Sequence, residues 1–172
     1  NIKDVPKALE AYISDQTIEL FESMKVLNKR ELHARYEIRL ENYTKKIQIE
    51  SRVIGDLAQN HVVSTAIKYQ TRLVQTAKSL IDMEMKEEAE PILNIIREIS
   101  KHVNIISKNV KDMTEARKKA NNEEEIREKA NIYSNEVRSF FEVIRKSVDK
   151  LELIIDDEDW PLTKYRELLY IR

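Results

Sequence analysis

From Asn28 to Glu90 the sequence contains no proline and one glycine, Gly55, which is the only glycine in the chain. Sheets joined by tight turns use Gly, Pro and Asn-Gly pairs far more often than that. With Glu, Lys, Leu, Ile and Ala abundant instead, long helices are the regular structure open to this chain. The apolar spacing agrees. Tyr36, Leu40, Tyr43, Ile47, Ile54 and Leu57 recur in alternating steps of four and three, and Glu50 and His61 fall in the same frame. Such steps line side chains along one stripe of a helix. Beyond Gly55 the register slips by one residue, to Val62, Ala66, Tyr69, Leu73 and Leu80. A slip beside the only glycine predicts a bend or a change of packing partner.

Residues suited to helix ends mark the boundaries. Ser14 can cap a short amphipathic helix over 15–26, with Ile18, Leu20, Phe21 and Met24 on its apolar side. Asn28 and Glu31 have the N-x-x-E spacing of a capping box, so the first long helix starts there. MEMKEEAEP, residues 83–91, turns the chain. Pro91 is expected in the first turn of the next helix, with Glu87, Glu88 and Glu90 near its positive end. That helix carries Ile92, Ile96, Ile99, Val103, Ile106, Val110 and Met113 in unbroken register. Asn122 and Glu125 repeat the N-x-x-E start, and the third long helix carries Ile126, Ala130, Tyr133, Val137, Phe140, Ile144, Val148 and Leu151. The acidic cluster 156–159 opposes the dipole at that helix's C-terminus and suits the start of a new one, which Asp159 can cap ahead of Trp160-Pro161.

These elements predict an all-α fold: an antiparallel three-helix bundle of long helices with one extra-long first helix, plus short N- and C-terminal helices. One domain is expected, with a lead-in and short helix over 1–27, the long-helix bundle over 28–155, and an acidic break with a C-terminal docking helix over 156–172. The second and third helices are expected to pack on the C-terminal half of the first. Its N-terminal half, 32–54, then lacks a partner among those two, leaving Tyr36, Tyr43, Ile47, Ile49 and Val53 unmatched, with Phe21 beside them. Soluble monomers rarely expose so much contiguous apolar surface. It is expected to meet the short flanking helices, another subunit or a domain outside this sequence. The chain opens at Asn1 without a methionine, and the expectation is a piece of a longer protein.

Chemical signatures are sparse. One glycine cannot build a phosphate loop or a dinucleotide fingerprint. His33, His61 and His102 are far apart, and no Glu-x-x-His pair of a di-iron bundle occurs. Glu98 and His102 are four apart on one helical face, where a bundle-edge contact is the plain reading and a metal ligand the sharper one. Glu50 on the stripe needs a cation, with Lys46 and Arg52 as candidates, since an unpaired buried carboxylate costs several kcal/mol. A satisfied structural carboxylate is favoured there over a catalytic one. His61 reads as a hydrogen-bonded core histidine before a ligand. No catalytic, cofactor-binding or metal-binding residue is assigned. Asn42-Tyr43-Thr44 forms a glycosylation sequon that chance accounts for on a helix.

Thirty basic and 31 acidic residues leave a formal charge of −1, which gives no field to draw in nucleic acid or anionic lipid. Lys45-Lys46 and Lys118-Lys119 read as solvated faces without interleaved aromatics. No apolar run approaches the roughly 20 residues of a membrane span. The chain has no cysteine, so it has no disulfide or thiolate chemistry, and a reducing, cytoplasmic setting is expected.

Three stretches are more specific than bundle periodicity requires: ALEAYISDQTIELFESMKVL (8–27), ELHARYEIRLENYTKKIQIESRVIGDLAQNHVVSTAIKYQ (31–70) and DDEDWPLTKYRELLYIR (156–172). In identity and order they resemble the C-terminal region of type III glutamine synthetases, the large bacterial class. RYEI, NYTKKIQIE and WPLTKYRELL carry the resemblance; Ser64 and Thr163 depart from it, standing where many relatives are expected to have proline. The resemblance implies a parent enzyme that joins ammonia to glutamate through a γ-glutamyl phosphate, with ATP and divalent metal (Mg or Mn), and whose catalytic residues lie outside this sequence. For this chain it implies no cofactor and no catalytic residue. The implied partners are its own catalytic domain and neighbouring subunits of a homo-oligomer. Trp160, Tyr165, Leu168, Leu169 and Tyr170 are then expected to leave the bundle and anchor elsewhere. A free-standing helical adaptor or coiled-coil interaction protein is the alternative, and a metal or cofactor bundle enzyme a third reading.

Overall fold

A computed structural model describes residues 4–169, the side chains of Tyr165 and Arg166 excepted. Every regular element among them is helical. Two short elements come first: α1 (Val5–Leu9) and a 3-10 turn (Glu10–Ile13). Helix α2 (Asp15–Ser23) follows, and the Ser14 hydroxyl accepts from the Thr17 backbone N–H as its cap. Helix α3 (Lys29–Asp56) opens on a full capping box. The Glu31 N–H donates to Asn28 Oδ1 at 2.9 Å, and the Asn28 N–H donates to Glu31 Oε2 at 2.8 Å.

At Leu57–Val63 the chain is π-helical, and α4 (Ser64–Asp82) continues from it. A π turn inserts one extra residue into an α-helix. That insertion is the one-residue slip of the apolar frame, and it places Val62 and Val63 in the core with His61 exposed. The expectation of a core histidine at position 61 is corrected by this shift.

Helices α2 and α4 both end in Schellman motifs without glycine. Lys25 (φ 55°) and Glu84 (φ 67°) take the left-handed conformation. The Val26 N–H reaches the Phe21 carbonyl at 3.0 Å, and the Met85 N–H reaches the Leu80 carbonyl at 2.9 Å. Helix α5 (Lys86–Asn121) starts one turn earlier than the proline suggests. Glu87 and Glu88 occupy its first turn, and Pro91 sits inside the helix. The third helical run begins at α6 (Ile126–Ile132), where the Glu125 carboxylate accepts from the Arg127 and Glu128 backbone N–H groups. Asn122 is therefore not its cap; residues 122–125 form the reversal itself. A second π turn (Tyr133–Val137) leads to α7 (Ser139–Ile154), and α8 (Tyr165–Leu168) closes the described chain.

The chain forms two compact units, Asn1–Arg52 with Asp112–Phe140, and Val53–Lys111 with Phe141–Arg172. In the first, Tyr36, Leu40 and Ala130 form a buried cluster against Leu9, Tyr12, Ile13, Tyr43 and Ile126. Three polar contacts fasten the lead-in over it. Arg127 pairs with Glu10, the Ser134 hydroxyl donates to Asp4 Oδ1 at 3.1 Å, and the Arg39 guanidinium lies 4.6 Å from the Tyr12 ring centre. The stripe expected to stay unmatched is thus closed at Tyr36 and Tyr43 by the lead-in and the third helical run, and Ile47 is buried as well. Helix α5 ends at Asn121 beside Gln48, and the third run begins at Ile126 against the Tyr36–Leu40 cluster, covering the part of the stripe that α5 does not reach. Ile38, Ile49 and Val53 remain exposed.

In the second unit Val62, Val63, Ala66 and Ala77 are buried from one helical run, Ile99 and Ile106 from the next, and Ile144, Leu151 and Ile155 from the third. Burying one such Val, Leu or Ile side chain contributes about 1.5–3 kcal/mol. The Gln70 amide ties α4 to α5, donating to the Ile96 carbonyl at 3.1 Å and to the Ser100 hydroxyl at 2.6 Å.

Candidate functional site

The polar residues singled out in the sequence do not converge. Glu50 is half-buried and has the Lys46 ammonium at 4.0 Å, an i,i+4 pair on the surface of α3. His102 is half-buried, and its Nδ1 finds no hydrogen-bond partner among the described residues. Burial holds its pKa below the usual imidazole value, with Glu98 opposing and Lys101 and Lys150 reinforcing the shift. His61 is exposed. Among the described residues no group of three or more His, Cys, Asp or Glu is placed to hold a metal ion. No described helix is long and apolar enough to cross a membrane.

The acidic break folds back onto the second unit. Trp160 is 8% exposed and Lys164 is equally buried. The Lys164 ammonium contacts the Asp157 carboxylate, donates to the Glu152 carbonyl at 3.1 Å and lies 5.9 Å from the Trp160 ring centre. Asp159 pairs with Arg72 of α4. Trp160 is therefore a core residue of this chain and not a free anchor. A buried lysine that meets a carboxylate, a carbonyl and an aromatic face holds the break in place. Leu168 and Leu169 are exposed at 66% and 80%. The Tyr165 side chain and Tyr170 lie outside the described residues.

The first unit holds a polar group that spacing alone did not mark. Tyr133 is fully buried, and its hydroxyl donates to Asn121 Oδ1 at 2.7 Å. The Gln48 amide donates to the same oxygen at 3.1 Å. Burial raises the Tyr133 pKa, while Arg117, Arg52 and the Gln48 hydrogen bond pull it down. The available signal was a tyrosine on an otherwise aliphatic stripe, because a buried phenol usually finds a partner.

The first stretch of the chain, residues 1–81, matches the family described as glutamine synthetase C-terminal domain. That match bears out the resemblance to the C-terminal region of glutamine synthetases. The likeness of the chain to whole glutamine synthetases extends over its full length. It is 46% identical, over all of its residues, to the glutamine synthetase of Bacteroides fragilis (strain YCH46). It is 29% identical over 99% of its length to that of Butyrivibrio fibrisolvens, and 27% identical over 100% to the type-3 glutamine synthetase of Dictyostelium discoideum. In each case the chain spans 24% of the relative's length.

Proposed function

We propose that this chain is the non-catalytic C-terminal part of a type III glutamine synthetase, and that its work is to pack against the catalytic part of its own protein and across neighbouring subunits. The parent protein ligates ammonia to glutamate in the cytoplasm, with ATP and Mg or Mn bound by residues outside this sequence. One observation carries the reading: full-length likeness to glutamine synthetases of which the chain spans about a quarter. Exposed apolar residues support the packing role. In the second unit Leu153, Leu168 and Leu169 are open to solvent, and in the first Leu20, Met24 and Val26 are.

A glutamine-forming assay on the full gene product and on residues 1–172 alone tests the division of labour. Activity is expected in the full product and none in residues 1–172. Turnover by residues 1–172 alone, or none by a correctly assembled full product, overturns the reading.

A further inference from the structure

Helix α4 carries two apolar stripes, both within the second unit. One, through Ala66 and Ala77, is buried. The other is open: Ile67, Val74 and Ile81 recur at steps of seven and are 50%, 47% and 39% exposed. Thr71 and Lys78, both exposed, fill the positions between them, so the series runs in steps of four and three. Such steps make a straight seam on a helix, the form that pairs with a second helix. One flank of the seam is occupied within the chain. Gln70 bonds to Ile96 and Ser100 of α5, and Ala77 is buried. The other flank, Lys68, Gln75 and Asp82, is exposed, and neither Lys68 nor Asp82 forms an ion pair among the described residues.

The charges on that flank select the partner. The charged side chains of α4 are Lys68, Arg72, Lys78 and Asp82. Arg72 is engaged with Asp159 and lies 5.4 Å from the Tyr69 ring centre. Lys68 and Asp82 stand at opposite ends of the free flank, with Gln75 midway. Two copies of α4 laid antiparallel about a two-fold axis near Val74 bring Ile67 of each beside Ile81 of the other. The same operation sets each Lys68 against the partner's Asp82, and Gln75 against its own equivalent. A parallel pair sets lysine against lysine and aspartate against aspartate. Asp82 is also the last residue of α4, where a carboxylate opposes the helix dipole. A lysine from a second copy offsets that penalty. Lys78 comes level with the partner's Thr71, a single cation on the seam of the kind that fixes register.

We infer that the open stripe of α4 is a docking surface for a second copy of this chain, joined α4 to α4 antiparallel and registered by two Lys68–Asp82 ion pairs. The occupant is a second copy because the seam complements itself under a two-fold in its apolar and its charged positions alike. The inference rests on the assembly reading above and assigns one of its subunit contacts to named residues.

The test is sedimentation velocity of the full gene product over a range of concentrations, with charge-swapped variants. Lys68→Glu sets glutamate against the partner's Asp82 twice per interface, and is expected to raise the concentration of half-dissociation by about tenfold or more. Asp82→Lys sets lysine against lysine and is expected to do the same. The double variant Lys68→Glu/Asp82→Lys restores opposite charges and is expected to return to within about threefold of the parent. These side chains are exposed, so the helicity of each variant is expected to match the parent. Val74→Asp breaks the seam at the axis without touching the ion pairs, and is expected to weaken association as much as either single swap. Loss in both single swaps with no recovery in the double variant overturns the inference. So does unchanged association in all four variants; if Leu168→Asp/Leu169→Asp still lowers association, the assembly reading stands without it. A full gene product that remains a single copy at every concentration overturns both.

Discussion

The Tyr133 hydroxyl donates to the Asn121 side-chain oxygen at 2.7 Å from a ring with no exposed surface. This bond joins the end of α5 to the π turn of the third helical run, and Gln48 extends it to α3. One buried hydroxyl thus fixes the relative level of three helical segments in the first unit. Tyr133→Phe keeps the ring and removes the donor. The expected cost is about 1–2 kcal/mol in urea unfolding, because Asn121 retains its bond from Gln48. An unchanged midpoint and slope contradict that role.

The Schellman reversal at Glu84 carries a strain that the sequence does not relieve. A side chain at φ 67° costs roughly 1 kcal/mol that glycine avoids. Glu84→Gly is therefore expected to raise stability, by up to about 1 kcal/mol after the backbone entropy of glycine is subtracted. A loss of stability in thermal or urea unfolding contradicts the capping geometry.

Trp160 is the only tryptophan and is buried in the second unit. Trp160→Ala is expected to cost about 3–5 kcal/mol, the range for large aromatic truncations in a core. Its fluorescence in the parent chain is expected to be blue-shifted and to move red on unfolding. Near-neutral stability with emission at the solvent-exposed wavelength points back to a free interface anchor.

Much of this fold is legible in the residues. The capping box at Asn28 and Glu31, the cap at Ser14 and the steps of four and three at Ile99, Ile106, Ile144 and Leu151 are local patterns with local physical causes. The slip beside Gly55 is readable as a change of register, and the structure shows that its form is a π turn. Other features depend on contacts far away in sequence. Trp160 has the composition of an interface anchor, and only the fold shows that Lys164, Asp157 and the Asp159–Arg72 pair bring it home. The turn at 83–91 is legible, but the Schellman geometry at both reversals is not, because Lys25 and Glu84 stand where glycine usually signals it. The Gln48–Asn121 contact likewise needs the antiparallel register of α3 and α5.

The proposed role is packing into a larger assembly through apolar residues that the fold of this chain leaves open. Sedimentation velocity of the full gene product, compared with its Leu168→Asp/Leu169→Asp variant, tests it most directly. Both leucines are exposed, so the substitutions are expected to leave helicity and melting of residues 1–172 nearly unchanged. The variant is expected to sediment as smaller species than the parent. An identical sedimentation profile for the two proteins contradicts the claim.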